Sequence, residues 1–296
     1  MTNLEDLGRE VRRLEITTRH LVRDVLAGAY LSAFRGRGVE FSEVREYQPG
    51  DDVRSIDWNV TARLGTPHVK RYVEERALTV MFLVDVSASA AFGTRLRTKR
   101  ELAAELCAVL ALAAARNSDR VGALLFSDRV ESLVMPRQGR RQAQRVISEL
   151  LACVPTGRGT DLPAALDALR PVLLHRCVLF IVSDFWSAGR ELDVALARAA
   201  RQHDVIAVQL YDARERELPR AGLVPMWDPE ADDWSYVDSE SAAVREHFAR
   251  RMSAFDEETR ERFRAAGVDT LRLEAGRPYA EPLLGFFRAR ERRLWR

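Results

Sequence analysis

From Leu78 onward the chain alternates short, near-continuous apolar runs with longer amphipathic stretches, and this alternation leaves it very few architectures. LTVMFLVD (78–85), VGALLFS (121–127), RCVLFIVSD (176–184) and DVIAVQLYD (204–212) are β-branched and aliphatic almost throughout, as strands buried on both faces require. The stretches Arg97–Arg116, Gly139–Cys153, Pro163–Leu169 and Glu191–Arg201 read as helices. Strands alternating with helices imply parallel pairing through right-handed crossovers. The expected fold class is therefore α/β, with a Rossmann-like, mostly parallel sheet flanked by helices. Val130–Met135 follows Phe126 after a short Ser-Asp-Arg turn and is expected as an antiparallel edge strand.

Composition narrows the function classes. At 47% hydrophobic and 30% charged residues the chain has the balance of a soluble globular protein. Its longest apolar stretches, Leu106–Ala115 and Val172–Val182, fall short of the roughly 20 residues of a membrane helix, and the second holds His175 and Arg176. The first residues carry acids where a signal peptide needs bases, so no membrane span and a cytoplasmic location are expected. A net charge of +2, from 46 basic and 44 acidic residues, argues against a nucleic-acid partner. Lysine occurs only at Lys70 and Lys99, the other basic residues being arginine. Cys107, Cys153 and Cys177 lack metal-ligand spacing and read as small core residues.

Four segments follow. Residues 1–34 form an amphipathic helical segment with Leu4, Leu7, Val11 and Leu14 at helical spacing. Residues 35–76 form a β-rich piece dense in Arg45, Asp51, Asp52, Arg54, Asp57 and Arg63, whose Phe41, Tyr47, Ile56 and Trp58 call for a cover. Residues 77–275 form the α/β domain, with a hairpin insertion near 212–238. Residues 276–296 form a last helix, with Arg288, Arg290, Arg292, Arg293 and Arg296 expected on a solvated face.

In open parallel sheets ligands bind beyond the carboxyl ends of the strands. Asp85-Val86-Ser87-Ala88-Ser89 leaves one such end, Asp184 leaves another, and Gly157-Arg158-Gly159-Thr160-Asp161 precedes a helix between them. Asp85, Ser87, Ser89, Thr160 and Asp184 make an all-oxygen donor set, which selects Mg²⁺ or Mn²⁺ over zinc or copper. Residues 85, 87 and 89 point the same way from an extended loop, and one coordination position stays open for a carboxylate from elsewhere. Arg158 and Asp161 are the expected partner-facing residues. The plainer alternative makes Asp85 the cap of the following helix. An enzymatic alternative makes Asp85 the nucleophile of an Mg-dependent phosphatase-like hydrolase, but that chemistry needs an acid two residues on, where Ser87 stands. No G-x-S-x-G, H-E-x-x-H or G-x-x-x-x-G-K-[ST] string occurs.

These residues resemble the metal-ion-dependent adhesion site of von Willebrand factor A domains across roughly residues 78–210. GRGVEFSEVREYQPGDDVRSIDWNVTAR, followed by VKRYVEERAL, resembles the signature of the bacterial family labelled domain of unknown function fifty-eight, extending the likeness to about residues 30–275. The resemblance implies a von Willebrand factor A-like fold and a non-enzymatic adaptor associated with MoxR-type AAA+ ATPases in protein assembly or maturation. Many members begin with a pair of membrane helices, for which no counterpart is expected here.

Overall fold

A computed structural model describes residues 4–20, 27–34, 39–49, 51–74, 77–94, 97–186, 189–228 and 233–294. The chain divides into two compact units, one of Met1–Ala33 with Thr79–Arg296 and an inserted one of Phe34–Leu78.

The main unit begins with α1 (Leu4–His20) and α2 (Ala27–Phe34). The apolar stripe of α1 is core: Val11 packs with Ala108 and Ile147, joined by Leu14, Leu112 and Leu151. Tyr30 of α2 is fully buried and its hydroxyl donates to Asp119 Oδ2 at 3.0 Å.

The inserted unit pairs β1 (Val39–Glu46) antiparallel with β2 (His68–Glu74). Its dense charges shape the piece itself. Arg45 donates through both terminal nitrogens to Asp51 at 2.8 and 2.6 Å, and Asp51 also accepts from Gln48 N. The β-rich expectation needs correcting at α3 (Trp58–Leu64), a short helix whose N-cap Asp57 accepts from Asn59 N and Val60 N and whose C-cap Gly65 adopts φ 76°. Trp58 was expected under a cover but is 67% exposed at the first position of α3. Trp58→Ala is accordingly expected to change stability by less than about 0.5 kcal/mol. A clear drop in the urea midpoint would show the ring to be buried.

Sheet formation in the main unit follows from the apolar runs. β3 (Thr79–Asp85), β4 (Arg120–Phe126), β5 (Val130–Gln138), β6 (Val178–Ser183), β7 (Asp204–Tyr211) and, after the hairpin described below, β10 (Asp269–Glu274) are arranged β10-β7-β6-β3-β4-β5. All neighbours are parallel except β4 and β5, the expected antiparallel edge. The helices are α4 (Lys99–Arg116), α5 (Arg140–Ala152), α6 (Leu162–Leu169) and α7 (Arg190–Gln202), then α8 (Ala242–Ala266) and α9 (Ala280–Leu294). Met81, Leu83, Leu124, Phe126, Leu179 and Ile181 pack with α6, α7 and Phe263 of α8. Phe82 and Phe180, opposite each other in the β3–β6 register, stack at 5.6 Å.

The expected hairpin exists as β8 (Leu223–Asp228) and β9 (Asp233–Asp238), but as a two-stranded sheet of its own. The C-terminal arginines also need correcting. Arg290 is 3% exposed and ion-paired to Asp204 and Asp269, because it follows Leu283 and Phe287 on the buried stripe of α9. Arg296 lies outside the described residues. Among the described residues no helix is long and apolar enough to cross a membrane.

Candidate metal centre

Two features of the sheet create the site. The register places Val84 opposite Val182, so β3 and β6 end side by side. The chain leaves β3 toward β4 on one side and later returns to β6 on the other, so this is the point where strand order reverses and a crevice opens.

Asp85 closes β3 and is 4% exposed; Asp184 follows β6 and is 5% exposed. Asp85 Oδ1 accepts from Ser87 N at 2.9 Å, the turn bond that a capping role also predicts. Asp85 Oδ2 accepts from Ser183 Oγ at 2.7 Å, which ties the two strand tips together. A short 3-10 turn at Ala88–Ala91 then curls the chain so that the Ser87 and Ser89 hydroxyls lie 3.1 Å apart. After Asp184 the chain turns through Phe185 at φ 60°, a left-handed conformation that is costly for a bulky side chain. It is over-determined there: Phe185 is buried against Phe263, its N–H donates to Ser183 Oγ, and Trp186 N donates to Asp184 Oδ1 at 3.2 Å.

The Thr160 loop is brought to the same place by its backbone. Ala88 N donates to Arg158 O at 3.0 Å, and Asp161 N donates to Ser127 O at 2.8 Å. Gly157 permits the close approach, since a Cβ there would stand 2.3 Å from Ser127 Oγ. The clamp is Glu131 on β5. Its Oε1 accepts from Ser127 Oγ, Thr156 N and Gly157 N at 2.5, 3.0 and 2.8 Å, and its Oε2 from Thr156 Oγ1 at 2.9 Å. Burial pushes its carboxyl up, but these four bonds outweigh it and hold the pKa at about 2. Of the two expected partner-facing residues, Arg158 presents an exposed side chain, while Asp161 Oδ1 caps α6 through Ala164 N at 2.9 Å.

Sequence reasoning missed the cation at the site. Lys99 Nζ donates to Asp184 Oδ2 at 2.7 Å and to Glu215 Oε1 at 2.5 Å, from a side chain only 2% exposed. Glu215 is placed by a capping box with Asp212, which itself holds Thr94 N and Oγ1. Burial alone would lower the lysine pKa, but Asp184 and Glu215 raise it above its ordinary value. Asp85 is pushed well up, first by burial and then by the negative charge of Asp184, with Ser183 and Ser87 pulling the other way.

The donors fit a hard divalent cation. Two adjacent buried carboxylates repel each other, which is what an ion between them relieves. The accompanying donors are hydroxyls, and among the described residues no group of three or more His, Cys, Asp or Glu side chains is placed to hold a metal, at these strand tips or elsewhere. The cavity beside the carboxylates, lined also by Lys99 and Ser183, is about 10 Å³, too small for an organic ligand.

Among solved structures the chain is similar to BatB from Bacteroides thetaiotaomicron, at 10% identity and TM-score 0.45, covering 73% of this chain and 100% of the other. It is also similar to an aerotolerance-related membrane protein from Bacteroides fragilis carrying multiple mutations to serine, at 12% identity and TM-score 0.49 with the same coverage. A third likeness is to the SpRpn10 VWA domain, at 9% identity and TM-score 0.40, covering 70% and 94%. Scores below 0.5 leave the fold class to the strand order, which is the von Willebrand factor A-like arrangement: five parallel strands, an antiparallel edge and helices on both faces. Uncharacterized proteins of Mycobacterium bovis and Mycobacterium tuberculosis are each 34% identical over 288 residues, 97% of this chain and 90% of theirs. With residues 43–258 matching the family described as "Protein of unknown function DUF58", the chain belongs to that family.

Proposed function

We propose that this protein is a non-catalytic adaptor that binds one Mg²⁺ or Mn²⁺ through Asp85, Ser87, Ser89, Thr160 and Asp184 and uses it to hold an acidic residue of another protein. The observation that carries this reading is the pair of buried carboxylates on adjacent strand tips, with the Ser87 and Ser89 hydroxyls 3.1 Å apart beside them. Bound there, the ion supplies a Lewis-acidic position for an incoming carboxylate. Around it the chain supplies fixed oxygens, the exposed Arg158 guanidinium and the Glu131 clamp. The partner fitting the family resemblance is a MoxR-type AAA+ ATPase or a client that it remodels, in the cytoplasm.

The hydrolase alternative finds less support. Both oxygens of Asp85 accept hydrogen bonds, and the position of the second acid holds Ser87. The discriminating experiment measures Mn²⁺ binding by calorimetry and hydrolysis of an aryl phosphate on the same preparations. Outer-shell partners of a metal are worth about 10–100-fold in affinity, so Asp85→Ala, which removes a direct donor, is expected to cost at least about tenfold. Equal Mn²⁺ affinity in wild type and Asp85→Ala would falsify the assignment, and metal-dependent turnover abolished by that substitution would favour the hydrolase. Retention of the same native-cytosol proteins with Mg²⁺ and with chelator would place the binding surface elsewhere.

A further inference from the structure

Lys99 is not one of the proposed metal donors, yet it bonds the donor Asp184 directly. It occupies the first position of α4, directly after the Thr98 cap, where the positive end of the helix dipole opposes a cation. It is 1% exposed. It is also one of only two lysines among 46 basic residues, so a compact ammonium stands where this chain nearly always uses a guanidinium. The difference is physical: an ammonium is a point charge that fits between two carboxylates, whereas a guanidinium is a planar fork. Burying an ion cluster is a poor way to stabilise a core, because apolar residues of similar volume do as well or better.

We infer that Lys99 sets the charge of the metal site, offsetting part of the Asp184 charge so that a bound divalent ion is less fully neutralised by its own ligands and draws a partner's carboxylate more strongly. This rests on the metal-binding reading given above. Without Lys99, Asp85 and Asp184 neutralise a divalent cation, and a third carboxylate makes the buried cluster negative. Counting Lys99, 2.7 Å from Asp184, and Glu215, 2.5 Å from the same ammonium, the formal total with a divalent ion is zero, so the effect of Lys99 is local: it weakens Asp184 as a counter-charge and leaves the ion more attractive to an incoming carboxylate. Glu215, the second carboxylate on the ammonium and itself 15% exposed, opposes this effect. Lys99 is thus a positioning and selectivity residue acting through Asp184, and it trades metal affinity for partner affinity.

That trade gives paired effects of opposite sign. Unit charges several ångströms apart at a protein-like dielectric correspond to about 10- to 100-fold in binding. Lys99→Met is expected to tighten Mn²⁺ binding by that factor in calorimetry. Acetate, read by its displacement of Mn²⁺-bound water in proton relaxation, is expected to bind the Mn²⁺-loaded variant more weakly. Glu215→Gln is expected to do the reverse in both measurements. The Lys99→Met/Glu215→Gln double variant restores the cluster charge and is expected to return toward wild type, which a merely structural lysine would not produce. Near-UV circular dichroism reports folding; if Lys99→Met alone fails to fold, Glu215→Gln and the double variant decide the question. Single variants that both shift Mn²⁺ affinity the same way, or by less than about twofold, overturn the role of Lys99 while leaving the metal site standing. A wild-type chain that binds no Mn²⁺ removes both readings.

Discussion

Arg290→Ala is expected to destabilise the main unit by about 3–5 kcal/mol, the cost of breaking a buried ion pair from one side. The guanidinium is 3% exposed and bonds Asp204 at the start of β7 and Asp269 at the start of β10, with Nε donating to Ala33 O of α2 at 3.4 Å. Asp204 is 8% exposed, so the substitution leaves its carboxylate buried without that counter-charge. Arg293 also reaches Asp269, at 2.8 Å, but from an exposed side chain that compensates little. Arg288, exposed on the opposite side of α9, is the control: Arg288→Ala is expected to stay within about 0.5 kcal/mol. Urea unfolding of the two variants beside wild type checks this. Equal midpoints for both would place Arg290 on the solvated face after all.

Glu131→Ala is expected to cost about 2–4 kcal/mol, because it removes a charged acceptor from Ser127, Thr156 and Gly157 at once. The loss is concentrated in the loop that presents Thr160, so Mn²⁺ binding is expected to weaken several-fold even where the variant remains folded. The pH dependence has a definite sign. Donors in the folded state hold this carboxyl at about 2, against an ordinary value of 4.5. Its contribution is therefore complete above pH 4.5 and is lost as pH falls toward 2. Comparison with Glu131→Gln, which cannot titrate, isolates that contribution from the other carboxylates. The stability gap between wild type and Glu131→Gln should be widest near pH 7 and narrow by pH 3. A gap that stays constant over that range would mean the clamp is absent in solution.

Both residues show where one-dimensional reading ends. β3, β4, β6 and β7 are legible because strands buried on both faces need unbroken apolar runs. Ser241 and Gly267 mark the ends of α8 by cap chemistry. Asp85, Ser87, Ser89 and Asp184 are legible because strand tips at a switch point are where ligands go. Glu131 carries no comparable signal, since on an edge strand it reads as one more solvent-facing acid, and its partners Thr156 and Gly157 lie 25 and 26 residues away. Lys99 did leave a trace, a rare lysine at the start of a buried helix in an arginine-using chain. Arg290 left one too, three residues after Phe287 and seven after Leu283 on a single helical stripe. α3 was hidden by the density of charges around it, although Asp57 and Gly65 bracket it in the usual way.

The seam between α2 and α9 also bears on the protein's biosynthesis. Ala33 O meets Arg290 across 257 residues, and Tyr30 meets Phe287 edge-to-face at 6.3 Å. Ribosomes add roughly 5–20 residues per second, so α2 emerges and waits about 13–50 s for the helix that covers it. Throughout that interval the apolar face of α2 is an open target for chaperones and for neighbouring nascent chains. This part of the main unit closes only when α9 leaves the exit tunnel, some 257 residues after Ala33.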